Sequence, residues 1–135
     1  NGEYPQNVSW DFSALQPDVV VINLGTNDQS FTREIESLCE EYCTAYQTFI
    51  STIRRNNPNA YILCMLGVMG EALCPMAQKA VDTYRMETGD SRISFHWFKE
   101  QLDEDGRAAD WHPSQKTHCK VSEQLAQIIK ETMNW

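Results

Sequence analysis

Asp18-Val19-Val20-Val21-Ile22-Asn23-Leu24-Gly25 is the most hydrophobic strand-like run of the chain, entered after Pro17 and closed by glycine. Its β-branched residues follow one another without polar alternation, the pattern of a strand covered on both faces. The stretch predicts a central parallel strand with a helix layer on each side. Working outward, the period changes at Thr32. Ile35, Leu38, Tyr42, Phe49 and Ile53 recur at helical spacing with Tyr46 between them, predicting a helix of about 20 residues with one core stripe. Asn56-Asn57-Pro58-Asn59 ends it, because the residue before proline is pushed out of the α region.

Tyr61 to Leu66 repeats the strand signal and again meets a glycine, Gly67. From Pro75 to Glu87, Met76, Ala80, Val81 and Tyr84 share one helical side, with proline in the first turn and Gly89 just past the end. Arg92 to Phe98 reads as a third strand. A charged connection from Lys99 to Asp110 then leads to a last helix opening near Pro113, with Val121, Leu125, Ile128 and Ile129 facing inward. Strands alternating with helices imply right-handed parallel crossovers, hence an α/β fold of three layers. No repeat or low-complexity stretch divides residues 1–135, which read as part of one domain.

The strand at 18–25 comes first in the chain, yet a central strand needs a neighbour on each side. The expectation is that one edge lacks a partner supplied from upstream of Asn1. A bare edge presents unpaired N–H and C=O groups. The segment should therefore belong to a longer polypeptide or self-associate through that edge.

Composition narrows the partners. The 135 residues are 41% hydrophobic, with enough aromatics to fill a core. Nineteen acidic against 11 basic residues give a net charge of -8, which repels phosphate backbones and anionic surfaces. Nucleic acid and membrane are not expected partners. No apolar run approaches the roughly 20 residues that span a bilayer, and Asn1-Gly2-Glu3-Tyr4-Pro5 has neither a basic nor an apolar leader segment. Any secretory signal would lie outside the segment. The five cysteines (Cys39, Cys43, Cys64, Cys74, Cys119) are odd in number and lack CxxC pairs, so most read as small core residues rather than disulfides or zinc ligands.

Two constellations carry chemistry. Ligands of open α/β sheets bind beyond the carboxyl ends of strands, and the first strand ends in Gly25-Thr26-Asn27-Asp28. The glycine permits close backbone approach, and Asn27 can donate hydrogen bonds without charge, as an oxyanion requires. The competing reading makes Asn27 and Asp28 an Asx-turn or a helix cap. The second constellation is Asp110-Trp111-His112-Pro113. An imidazole exchanges protons near neutral pH, and a carboxylate on its other nitrogen would fix the tautomer. Here too the alternative is plain: Asp110 caps the last helix. A metal site from Asp110, His112, His118 and Cys119 is a minor alternative, since their spacing fits no compact ligand motif.

Together the segments resemble the SGNH or GDSL-type hydrolase superfamily. Asp110-Trp111-His112-Pro113-Ser114 followed by Thr117-His118 looks most like carbohydrate esterase family two, whose members remove acetyl groups from polysaccharides. Val20 to Asp28 resembles the block whose asparagine donates to the oxyanion, and the likeness runs from Pro17 to Lys130. The resemblance implies a flavodoxin-like parallel sheet, and it implies that Gly25 shapes the oxyanion turn. It makes His112 the general base and Asn27 an oxyanion donor, with either the Asp110 side chain or a backbone carbonyl orienting His112, and with no cofactor. Trp111, and Asp28 beside the turn, are the candidate substrate contacts; Trp111 could instead seal the last helix against the sheet. The implied partner is an acylated carbohydrate or small ester, in an extracellular or cell-surface setting.

The chain departs from the family at the nucleophile. No Gly-Asp-Ser precedes Asn27; Gly89-Asp90-Ser91 occurs before the third strand and reads as a turn. Arg107-Ala108-Ala109 also lacks the glycine-rich character expected ahead of Asp110. The expectation is a C-terminal part of an esterase, inactive without an upstream serine. A non-catalytic carbohydrate-binding or degenerate hydrolase module is the alternative.

Overall fold

The computed structural model describes residues 11–135, so Asn1 to Pro5, read above for a leader, lies outside them. Three parallel strands form one sheet in the order β1 (Val19–Asn23), β2 (Tyr61–Leu66), β3 (Ile93–Trp97). Val19 pairs with Tyr61 and Asn23 with Met65; Ile62 pairs with Ile93 and Leu66 with Trp97. Helices α1 (Thr26–Thr32) and α2 (Glu36–Asn56) follow β1, α3 (Cys74–Thr88) follows β2, and α4 (Gln115–Met133) closes the chain.

Side chains alternate across a strand, and here they sort the core into two layers. Ile22, Ile62, Cys64, Leu66 and Ile93 pack with α2 and α3. Leu63 and Met65 pack on the opposite face with Val121, Leu125, Ile128 and Ile129 of α4. Each fully buried Leu or Ile stabilises this arrangement by about 1.5–3 kcal/mol. The three-layer α/β architecture matches the sequence reading.

The strand at 18–25, read as central but lacking a partner on one edge in this chain, is paired on one edge only among the described residues, with Val21 and Leu24 exposed; β2 is paired on both edges and almost wholly buried. Two other expectations change. A short helix not read from the sequence, Thr26–Thr32, comes first; beyond Arg33 and Glu34 in the left-handed region, the helix expected from Thr32 begins at Glu36 and runs 21 residues as α2. Its core stripe is Cys39, Tyr42, Cys43, Tyr46 and Ile50, whereas Ile35 and Phe49 are exposed. Large apolar residues alone misplace that stripe, because two of its positions are small cysteines. Cys39, Cys43, Cys64 and Cys74 are buried and free, and Cys119 is exposed.

The Gly89-Asp90-Ser91 turn lies at the amino end of β3. Gly89 caps α3 in the left-handed conformation, and the Asp90 carboxylate receives Arg54 Nε at 2.7 Å and the Arg92 N–H at 2.9 Å. Arg54 also donates to the Ala60 and Arg92 carbonyls, tying the amino ends of β2 and β3 together.

Candidate active site

At the carboxyl end of β1 the backbone must turn sharply. Gly25 sits at φ 140°, and a Cβ there would lie 2.8 Å from Tyr42 Oη and 2.9 Å from Leu66 Cδ2. Only glycine meets both demands. Tyr42 Oη donates to the Leu24 carbonyl at 3.1 Å, anchoring the turn to α2. Burial, and then the charge of Asp28, raises the Tyr42 phenol above its ordinary value, so the hydroxyl stays a donor. Thr26, Asn27 and Asp28 form the first turn of α1, with Asn27 and Asp28 exposed. The N-cap positions of α1 and α2 are Gly25 and Ile35, neither with a side-chain cap hydrogen bond, so Asn27 and Asp28 occupy no cap position. Gln29 Oε1 accepts the Ala72 N–H at 3.1 Å, fastening α1 to the loop after β2.

The second wall is the segment between β3 and α4. Its anchor is Asp105, a buried carboxylate held by Lys116 at 2.8 Å and Lys120 at 2.6 Å. Hydrogen bonds from these ammonium groups, Lys116 foremost, keep its carboxyl below the usual carboxylate range. Ser114 Oγ donates to the Asp105 carbonyl at 2.6 Å and receives the Thr117 N–H at 3.2 Å. Ser114 therefore caps α4, so Asp110 does not.

Between these fixed points the chain makes a tight turn, Ala109–Trp111, with Asp110 at φ 52° and Trp111 at φ 63°. For residues other than glycine, each costs roughly 1–2 kcal/mol. The turn folds the Ala109 carbonyl back onto His112, 3.0 Å from its N–H and 3.1 Å from Nδ1. A carbonyl only accepts, so the proton resides on Nδ1 and the lone pair on Nε2 is free to act as a base. Of the two groups that could orient the ring, among the described hydrogen bonds Nδ1 meets the backbone carbonyl of Ala109 and not the Asp110 carboxylate.

The two walls meet. His112 and Thr26 line one cleft of about 270 Å³ with Asn23, Val68, Met69 and His118. The Gly25-Thr26-Asn27 turn and His112 thus lie over the same end of the sheet, Asn27 one residue beyond the lining. Trp111 is 75% exposed, so it does not seal α4 against the sheet. Two residues of β3 lie outside this lining: Trp97 Nε1 donates to Glu71 at 3.0 Å, and His96 meets Ser94 Oγ at 3.1 Å. Both border a wider trough of about 650 Å³ between β3 and α4. Burial lowers the His96 imidazole below its ordinary value, which favours the neutral ring.

Sequence reasoning missed Ala109, whose contribution is a backbone atom without a side-chain signature. It read His118 as a minor metal-ligand alternative and as part of the resembling stretch, not as a residue lining the cleft. Among the described residues, no group of three or more His, Cys, Asp or Glu is gathered for a metal ion. No helix among them is long and apolar enough to cross a membrane.

Comparison with known proteins places the chain in a family. The chain is 40% identical over 132 residues to the cellulase/esterase CelE of Acetivibrio thermocellus, covering 95% of this chain and 16% of that protein. It is 25% identical over 136 residues to an acetylxylan esterase / glucomannan deacetylase of Cellvibrio japonicus, covering 99% of this chain and 36% of that one. The structure of a family two carbohydrate esterase from Clostridium thermocellum in complex with cellohexaose superposes with a TM-score of 0.85 at 38% identity, over 97% of this chain and 41% of the other. The chain thus spans well under half the length of each of these relatives. Residues 2–119 match the GDSL-like Lipase/Acylhydrolase family, and to that family the chain belongs.

Proposed function

We propose that this chain is the histidine-bearing part of a serine esterase of the family two type, which removes acetyl or other acyl groups from carbohydrate. The observation that carries the reading is the His112 ring, held at Nδ1 by a carbonyl and sharing a cleft with Thr26, the residue between Gly25 and Asn27. In the proposed reaction a serine hydroxyl attacks the ester carbonyl while His112 Nε2 takes its proton. His112 returns that proton to the departing sugar oxygen, and water then releases the acyl group by the same route. Asn27 donates to the oxyanion, Gly25 provides the turn that brings it near, and Trp111 and Asp28 contact substrate.

The nucleophile is proposed to come from sequence that pairs with the outer edge of β1, where Val21 and Leu24 are exposed. Completing the sheet there would make it flavodoxin-like and would place a serine beside Thr26. An extracellular or cell-surface setting fits a polysaccharide substrate. The test compares this chain with a form extended by its own upstream gene sequence, on an acetylated sugar and a chromogenic acetate. Activity is expected only in the extended form, with its loss on His112→Ala; equal activity in both forms refutes the reading. The exposed Trp111 favours one second reading, a module that binds carbohydrate without cleaving it. That reading predicts sugar binding with no hydrolysis in either form.

A further inference from the structure

The turn that presents His112 contains two adjacent residues in a conformation that side chains disfavour, and something must hold it. Among the described residues, one side chain from outside the turn donates to its backbone: Gln101 Nε2 reaches the Trp111 carbonyl at 2.8 Å. Gln101 is itself fixed through its backbone, its N–H donating to the Val68 carbonyl at 2.9 Å. Val68 and His112 line the same cleft.

The rest of the Gln101 side chain argues that this one bond is why a glutamine stands here. The residue is buried, 9% exposed, and its Oε1 has no hydrogen-bond partner among the described residues. Burying an unpaired amide oxygen is unfavourable, and a methionine would fill similar space without that penalty. The amide cannot relieve the cost by flipping, since Oε1 would then face the Trp111 oxygen. Local rules broken in this way concentrate where a side chain serves a site.

We infer that Gln101 is a positioning residue: by gripping the Trp111 carbonyl it holds the Asp110-Trp111 turn, which holds the Ala109 carbonyl on His112 Nδ1 and leaves Nε2 as the base. It touches neither substrate nor the reacting atoms. Its value to catalysis rests on the esterase reading, but the geometry it maintains does not.

The test uses readouts that need no turnover. Imidazole ¹⁵N shifts in the 135-residue chain should report an Nδ1–H tautomer for neutral His112. Gln101→Met removes the donor at similar volume, and Gln101→Glu replaces it with a carboxylate at neutral pH. Both are expected to lower the ratio of Nδ1–H to Nε2–H forms at His112 roughly tenfold, about the effect of losing one neutral hydrogen bond. The His96 and His118 resonances should stay in place. An unchanged tautomer ratio in a folded Gln101→Met chain overturns the inference, even if its Tm falls. If neither variant folds, hydrogen exchange of the Gln101 side-chain amide in the unaltered chain decides: slow exchange supports the bond, and exchange as fast as an exposed glutamine overturns it. Absence of esterase activity in every form would sink the functional reading and leave these results standing.

Discussion

Replacing Gly25 with alanine tests the turn on which the oxyanion reading depends. The added methyl would lie 2.8 Å from Tyr42 Oη and 2.9 Å from Leu66 Cδ2, at a φ of 140° that L-residues avoid. Backbone strain of this kind costs about 1–3 kcal/mol. Overpacking against the fully buried Leu66 adds about 1–3 kcal/mol. Pushing Tyr42 aside also loses its hydrogen bond to the Leu24 carbonyl, about 1 kcal/mol. The total, roughly 3–7 kcal/mol, is comparable with the whole stability of an ordinary domain. Gly25→Ala should therefore lower the urea midpoint by roughly 1.5 M or more, given a slope near 2 kcal/mol/M. A double-mutant cycle assigns the cause. Tyr42→Phe alone should cost about 1 kcal/mol, and in its background Gly25→Ala should cost less, because the nearest clashing atom is gone. A Gly25→Ala protein within about 0.5 kcal/mol of the original would refute the steric reasoning, and strict additivity would refute the part assigned to Tyr42.

Further outcomes follow from the site. In a form that carries the serine, Asn27→Ala should cut kcat by roughly 10²–10³ with little change in KM, the effect of losing one oxyanion donor. Asp110→Asn should leave kcat within about threefold, because a carbonyl and not this carboxylate holds Nδ1; a loss near the 10⁴ typical of an orienting aspartate would restore Asp110 to that role. Asp105 has a folded-state pKa depressed by its two lysines, so its contribution to stability is fully present above the unfolded value near 3.8 and is lost as pH falls through the lower folded value. Urea midpoints measured downward from pH 5 should show that loss, and Asp105→Asn should remove this component of the slope. A thiol reagent should label Cys119 first in the native chain, since Cys64 and Cys74 are buried with thiols pushed up to about 12 and about 11. Mass spectrometry of the labelled peptides checks the order.

The residues that organise the fold were largely legible before any coordinates. Tyr61 to Leu66 is a strand with the bounds read from its apolar run, because burial on both faces leaves no room for polar alternation. The inward set on α4 was legible through its helical spacing. The α2 stripe was less so, since burial there selects by fit and not by size, and Cys39 and Cys43 serve where larger residues would not. Helix α1 escaped because its seven residues, Thr26–Thr32, are too few to display a period.

For the site, sequence by itself determined the chemistry present: an amide donor after a glycine at a strand end, and an imidazole before a helix. Their residue types and local turns are written in contiguous stretches. Only the tertiary structure decided that Thr26 and His112 line one cleft, because strand register and crossovers bring together positions far apart in the chain. It alone decided what orients the imidazole. A backbone carbonyl at Ala109 and a buried amide at Gln101 act through where the chain places them, and every residue has a carbonyl, so no letter of the sequence marks the one that matters.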